Sequence, residues 1–224
     1  MDPAVLAVRG QGFLGRLKPS LVDEVLEAAV LVHLSADDRN VPVRTCIVVS
    51  GLLAYFLLHQ DGRQITIRYA TAGDLVGSVA PPNTSVSTGV HAIERSMLLR
   101  LDAARLQAIA RRDPELSMAL VEELTKRLRV AYRALAGRAF GSVTSRVARD
   151  LVARARASSD LRDGVTVQVT RESLADATGS VREVVARSLR DLRRRGLIEP
   201  DRGRVTIIDA LRLTREADPI ESPN

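Results

Sequence analysis

Residues 170–195 read TRESLADATGSVREVVARSLRDLRRR, a pattern that predicts two short helices joined by a tight turn. Thr170 opens the first helix, where its hydroxyl can accept from a free backbone amide two or three residues on. Glu172 brings negative charge to the first turn, which the helix dipole favours. Leu174, Ala175 and Ala177 supply an inward face. Gly179 tolerates the positive φ that a sharp turn between helices needs. Ser180 and Glu183 have the S-x-x-E spacing of a capping box, which predicts a second helix from Val181. In it Val181, Val185, Leu189 and Leu192 recur at spacings of four, four and three, one apolar stripe facing a core. Arg182, Glu183, Arg187, Arg190 and Arg194 fall largely outside that stripe.

Such a helix suits a DNA groove. Arginine presents a rigid donor fork that matches guanine O6 and N7, and also phosphate, and glutamate can accept from cytosine N4. Recognition helices read bases with their N-terminal part, so Arg182, Glu183 and Arg187 are the expected base readers. Arg190, Arg193, Arg194 and Arg195 lie further along, where phosphate contacts position the protein without specifying sequence. Residues 182–195 hold six arginines and two acids, a local charge of +4. Thr170, Arg171 and Ser180 flank the reading end and are expected on phosphate. Gly196 ends the helix. Leu197, Ile198 and the run from Val205 to Ile208 then bracket EPDRGR, a small hairpin with Arg202 and Arg204 near its tip, placed to reach backbone phosphate. Helix-turn-helix followed by hairpin is a winged helix.

The 224 residues are enough for one large or two modest domains. Apolar content of 46% and charged content of 27% are those of a globular protein, and the net charge of +6 favours polyanions. Only Lys18 and Lys126 are lysines among 33 basic residues, a skew that a GC-rich genome would produce. Cys46 stands alone, so one chain can form no disulfide, CxxC zinc knuckle or four-cysteine iron–sulfur site. The start MDPAVLAVRG lacks a signal-peptide pattern and no apolar run approaches ~20 residues, so a cytoplasmic protein without membrane contact is expected. Ser/His/Asp spacing, a P-loop, G-x-G-x-x-G and HExxH do not occur, and no enzyme activity is expected.

Residues 20–29 carry a short helical pattern with Ser20 as its cap. From 31 to 101, apolar runs at 46–49, 52–58, 65–69 and 97–101 alternate with turn signals, Asp61-Gly62 among them, which predicts an antiparallel β domain. Asp102 caps a helix over DAARLQAIARRD. Asp113-Pro114 starts a longer one to about Phe140, in which Val121, Leu124, Leu128, Ala131 and Leu135 alternate at three and four. That is a two-heptad seam flanked by Glu122, Glu123, Lys126, Arg127 and Arg129, and it suits a parallel homodimer reading two half-sites better than packing on the chain's own β domain. Residues 137–142 form the expected hinge, 144–157 a further helix, 165–169 a strand, and EADPIESPN a loose tail. The fold class is α+β: a β-roll domain over 1–112, a dimerisation helix and hinge over 113–140, and a winged helix-turn-helix domain over 141–224.

That order resembles the CRP/FNR family of bacterial transcription regulators, whose β-roll is a cyclic-nucleotide-binding-like domain. GDLVG at 73–77 is similar to the family's roll signature, and TRESLADATGSVREVVARSLRDLRRRGLI at 170–198 to its DNA-reading motif. The likeness covers roughly residues 12–214. It implies double-stranded DNA and RNA polymerase as partners, and it matches Arg182, Glu183 and Arg187 to the family's base-contacting residues. Val181 stands where relatives have a serine cap, a role Ser180 would then take. In the sensor half, family members that bind cyclic AMP carry a glutamate after the second glycine of the roll motif and an Arg-Ser pair further on. Here Ser78 follows Gly77, and Val86-Ser87 stands for the pair, which removes the cation that would hold a cyclic phosphate. Ala131-Tyr132 stands where the long helix offers Thr-Ser to adenine. Gly77, Ser78, Val86, Ser87, Ala131 and Tyr132 would line the effector pocket, cyclic AMP is not expected in it, and the small-molecule effector is left unassigned. His33, His59 and His91 read as strand or surface residues, Cys46 as a buried hydrophobe and Asp37-Asp38 as a turn, so neither a cofactor nor a metal is expected. The expected function is sequence-specific DNA binding by a homodimer, with a regulator that acts through protein contacts alone as the alternative.

Overall fold

The computed structural model describes residues 3–39, 41, 44–60, 64–77, 87–158 and 161–218. Helix α1 (Pro3–Val8), a 3-10 turn (Leu14–Arg16) and α2 (Pro19–Leu26) come first. Strands β1 (Val30–Leu34), β2 (Cys46–Ser50), β3 (Leu53–Leu58), β4 (Gln64–Ala70), β5 (Leu75–Val76), β6 (Ser87–Ala92) and β7 (Ser96–Arg100) follow. They form two sheets, ordered β1-β7-β2-β5 and β4-β3-β6. Next are α3 (Ala103–Arg112), α4 (Pro114–Ala139) and α5 (Val143–Ser158). The C-terminal part is β8 (Thr166–Gln168), α6 (Arg171–Thr178), α7 (Arg182–Arg194), β9 (Ile198–Asp201), β10 (Arg204–Ile207) and α8 (Ala210–Ala217), with a third sheet ordered β8-β10-β9.

This is the α+β order of antiparallel β domain, long helix and winged helix-turn-helix. The Asp61-Gly62 turn signal lies outside the described residues. Packing divides the chain into two units. The first is Met1–Tyr55 with Ala70–Val130, and the second is Phe56–Tyr69 with Ala131–Asn224.

In the first unit the sheet ladder is antiparallel: β1 pairs with β7 from Val30↔Arg100 to Leu34↔Ser96, and β2 lies on the other side of β7. One face of it buries Ile47, Val49 and Leu99 against Leu14, Leu21, Leu106 and Leu116, and the other buries Val48, Leu53, Val76 and Leu98. Asp102 caps α3 as expected, its carboxylate accepting from the amides of Ala104 and Arg105. Ser20 does not cap α2. The cap position is Lys18, whose amide donates to the Glu115 carboxylate, and Pro19 fills the first turn, where a missing amide costs nothing. Asp37-Asp38 is a turn, with Asp38 accepting from the Ser35 amide.

In the second unit, Val147, Leu151, Leu174, Val185, Leu189, Leu192, Leu197 and Leu213 form a continuous core under β8-β10-β9. The core stripe of α7 is Val185, Ser188, Leu189 and Leu192. Val181 is not part of it and stands 58% exposed, because it precedes the helix with extended backbone.

Candidate nucleic-acid interface

Thr170 caps α6 by accepting from the Ser173 amide, and the Ser173 hydroxyl in turn accepts from the Thr170 amide. Gly179 then turns the chain with φ +60°, a left-handed value that a side chain resists. Its amide and that of Ser180 both close on α6, Ser180 donating to the Ala175 carbonyl at 3.0 Å. Ser180 is therefore bound into the exit of α6 and does not cap α7. The cap position falls one residue later, on Val181, which has no side chain able to accept. Arg146 of α5 ties the turn from below, its Nε donating to the Thr178 carbonyl at 3.2 Å, and the Thr144 hydroxyl reaches the buried Ser188 hydroxyl at 3.1 Å. With its inner face fixed, α7 turns Arg182, Glu183, Arg187, Arg190, Arg193 and Arg194 to solvent.

The charges on that face are unequally committed. Arg182 pairs with Glu172 at 2.9 Å, Arg193 with Glu199 at 2.8 Å, and Arg194 with Asp191 at 2.5 Å. Arg195 is held to α8 by Glu216 at 2.5 Å, and that hydrogen bond raises its already high pKa. Arg171, Arg187, Arg190 and Arg202 have no ion pair among the described residues. The hairpin turns tightly at Arg202-Gly203, with Arg204 opposite Asp201 in register and paired with it at 3.2 Å. The Arg202 amide and the Arg204 guanidinium hold the Asp201 carboxyl below its usual range. Between this hairpin and the two helices runs an open groove lined by Thr170, Arg171, Arg182, Arg190, Arg202 and Arg204, among others. Ser180, half-buried in the turn, and Arg187, on α7, are not among its lining residues.

The first unit carries a second polar cluster, built on charged residues that flank the expected seam of α4. Glu123 is 2% exposed. It accepts from Arg16 at 2.9 Å and from Arg127 at 3.1 Å, and Arg127 also donates to the carbonyls of Gly77 at 2.7 Å and Leu75 at 2.6 Å. Lys126 pairs with Asp74 at 3.1 Å. The GDLVG stretch is thus held by consecutive residues of α4. Gly77 has φ +80°, and a Cβ there would lie 2.2 Å from the Arg44 carbonyl oxygen. Of the other residues expected at an effector pocket, Ser78 and Val86 lie outside the described residues. Ser87 opens β6, and Ala131 and Tyr132 are exposed on α4. On the opposite face of α4 from Glu123, the seam residues Val121, Leu124, Leu128, Ala131 and Leu135 are exposed. His33 is exposed on β1, His59 is exposed, and His91 lies 3.3 Å from Asp37. Cys46 is buried, and desolvation pushes its thiol up to about 11. No helix among the described residues is long and apolar enough to cross a membrane.

The two halves match two known domain families. Residues 145–216 match the Crp-like helix-turn-helix domain, and residues 34–113 match the cyclic nucleotide-binding domain. The transcriptional regulator LdrP of Thermus thermophilus is 33% identical over 169 residues, 75% of this chain and 84% of that one. The CRP-like cAMP-activated global transcriptional regulator of Mycobacterium tuberculosis is 33% identical over 181 residues, 78% of this chain and 80% of that one. A CRP/FNR-family regulator of known structure from Thermus thermophilus is 26% identical, with a TM-score of 0.69 over 84% of this chain and 98% of its own. The chain belongs to the CRP/FNR family of transcriptional regulators, with a DNA-binding helix-turn-helix and a cyclic-nucleotide-binding-like domain.

Proposed function

We propose that this regulator works as a homodimer that binds specific double-stranded sites. Arg182, Glu183 and Arg187 read bases, while Thr170, Arg171, Ser180, Arg190, Arg194, Arg202 and Arg204 contact phosphate. The observation that carries this reading is the split of α7. Val185, Ser188, Leu189 and Leu192 are buried, whereas the charged residues project from a helix fixed on its inner face. The apolar stripe left exposed on α4 supports the homodimer. Its parts are a sensor-like domain over 1–112, the dimer helix and hinge over 113–140, and the DNA-binding domain over 141–224. It acts in the cytoplasm, on the chromosome, with RNA polymerase as its protein partner, and without catalysis.

Cyclic AMP is not its effector. The Mycobacterium relative is named as cAMP-activated, but here Ser78 and Val86 remove the carboxylate and the guanidinium that would hold ribose and cyclic phosphate. The pocket residues Gly77, Ser78, Val86, Ser87, Ala131 and Tyr132 would accept a different effector, or none.

Binding to a selected site and to random duplex, measured by fluorescence anisotropy, tests the base-reading role. Arg182→Ala should cost about 1–3 kcal/mol on the selected site and relax preference there, and Arg190→Ala should weaken both duplexes alike. Equal loss from Arg182→Ala on both would reject it as a reader. Affinity should also fall steeply with salt.

A further inference from the structure

The second unit contains a cavity of about 80 Å³ unrelated to the DNA-facing groove. Its walls include Tyr69 of β4, Ala134 and Arg138 of α4, and Arg146, Arg149 and Asp150 of α5. Arg68 also lines it, so four arginines and one aspartate contribute to its wall. Each oxygen of that aspartate's carboxylate already has a donor. One Asp150 oxygen accepts from the Tyr69 hydroxyl at 2.6 Å, and the other accepts from the Nε of Arg154, a residue outside the cavity wall, at 2.7 Å.

Among the described residues, Arg138, Arg146 and Arg149 are only partly satisfied. Arg146 donates to the carbonyls of Thr178 and Gly141. Arg149 uses one terminal nitrogen for the Ala217 carbonyl and the Asp218 carboxylate, while its buried Nε has no partner among the described residues. Arg138 has a single long contact, 3.5 Å to the Ala177 carbonyl. Desolvation, and then the neighbouring Arg146, push the Arg138 pKa down, as expected of a cation short of counter-charge. A side chain at Gly137 would occupy the place of the Arg149 guanidinium, since a Cβ there would come within 1.4 Å of it. The glycine thus lets Arg149 cross the last turns of α4.

We propose that this cavity is a binding site for a phosphate-sized oxyanion, held by Arg138, Arg146 and Arg149. Guanidinium forks match the tetrahedral oxygens of phosphate. The size agrees: a space of about 80 Å³ admits a phosphate-sized anion. Free phosphate and the phosphate group of a small monoester share this chemistry. The site involves none of the residues assigned to DNA, so it stands or falls separately from DNA recognition.

The test is thermal denaturation and titration calorimetry of the full chain, with ionic strength held constant by chloride. Inorganic phosphate and glycerol 3-phosphate are compared below 10 mM, beneath the range where phosphate stabilises proteins by exclusion. Wild type should show a saturable rise of several degrees. Arg138→Gln should melt no lower than wild type without phosphate, because it removes an uncompensated cation, and should bind phosphate at least tenfold more weakly. If Arg138→Gln does not fold, Ala134→Glu takes its place: a carboxylate set among the arginines should abolish the phosphate response. Tighter binding of the monoester identifies a metabolite as the source, and tighter phosphate binding identifies the free ion. No saturable response in wild type, or an undiminished response in the folded variant, overturns the proposal.

Discussion

Val181 is a residue where local chemistry is poorer than the fold allows. It holds the cap position of α7 with φ −101° and ψ 154°, the extended backbone a cap requires, but offers no acceptor to the free amides of the first turn. Val181→Ser should supply one and remove an exposed valine. The expected gain is about 1 kcal/mol, read as a rise in Tm of roughly 2–4 °C, and an unchanged or lower Tm would mean the serine finds no amide to cap. One residue on, Arg182 as the proposed base reader would meet DNA only after releasing Glu172, an exposed pair worth at most about 1 kcal/mol. Glu172→Gln should therefore tighten binding to DNA by up to about fivefold, and weaker binding in the same anisotropy assay would show that Glu172 preorganises Arg182. Cys46 shows the opposite case, a reactive group made inert. With its thiol raised to about 11 by burial, roughly one molecule in a thousand carries the thiolate at pH 8. A thiol reagent should leave the native protein unlabelled at that pH and label it once urea unfolds it. The same shift gives a sign for alkaline stability. A thiol harder to ionise in the fold stabilises it fully below about pH 9 and loses that contribution as pH rises through about 11.

Helix α4 shows how much of an element its sequence makes legible. The three-and-four spacing of Val121, Leu124, Leu128, Ala131 and Leu135 marks one face of the helix, and all five are exposed there. Glu123 and Arg127 read as solvated flank because charge usually is. Nothing in local spacing shows that Arg16, more than a hundred residues earlier, and the carbonyls of Leu75 and Gly77 will supply their partners. Such long-range pairing is what a one-dimensional pattern lacks. The turn between α6 and α7 gives a smaller instance: the S-x-x-E spacing was present, but the Ser180 amide is drawn into the end of α6 and shifts the cap by one residue. The Glu123 network makes its own prediction. Glu123→Ala leaves Arg16 and Arg127 without the acid they share and should cost about 3 kcal/mol, towards the lower end for a buried pair because both arginines keep some solvent. Glu123→Gln, which keeps the acceptor and loses the charge, should cost less. Urea midpoints for the two variants give the comparison, and equal midpoints would mean that hydrogen bonding outweighs charge there.

At the scale of the whole molecule, the feature that a single chain does not explain is the outer face of α4. Met118, Val121, Leu124, Leu128, Tyr132 and Leu135 are each half exposed or more along one helix of 26 residues, about 39 Å long. Isolated apolar residues are ordinary on a surface, but a contiguous stripe of this length is rare on a monomer and marks an interface. Its three-and-four spacing is that of a coiled-coil seam, which a second copy of the same helix would fill knob into hole. Two copies held in parallel would also present two α7 helices to successive turns of DNA, so each half-site would be bound at the high effective concentration set by the other. Leu124→Glu combined with Leu128→Glu should break the seam without unfolding the chain, because both side chains face solvent in one protomer. In sedimentation at micromolar concentration wild type should run at twice the chain mass of 24.3 kDa and the double variant at the single mass, with the helical circular dichroism signal retained. Affinity for a two-half-site operator should fall at least about a hundredfold, while binding to an isolated half-site stays nearly unchanged. A wild-type protein at the single-chain mass would remove the dimer, and with it the reason for the seam; a double variant that stays dimeric would move the interface to another face.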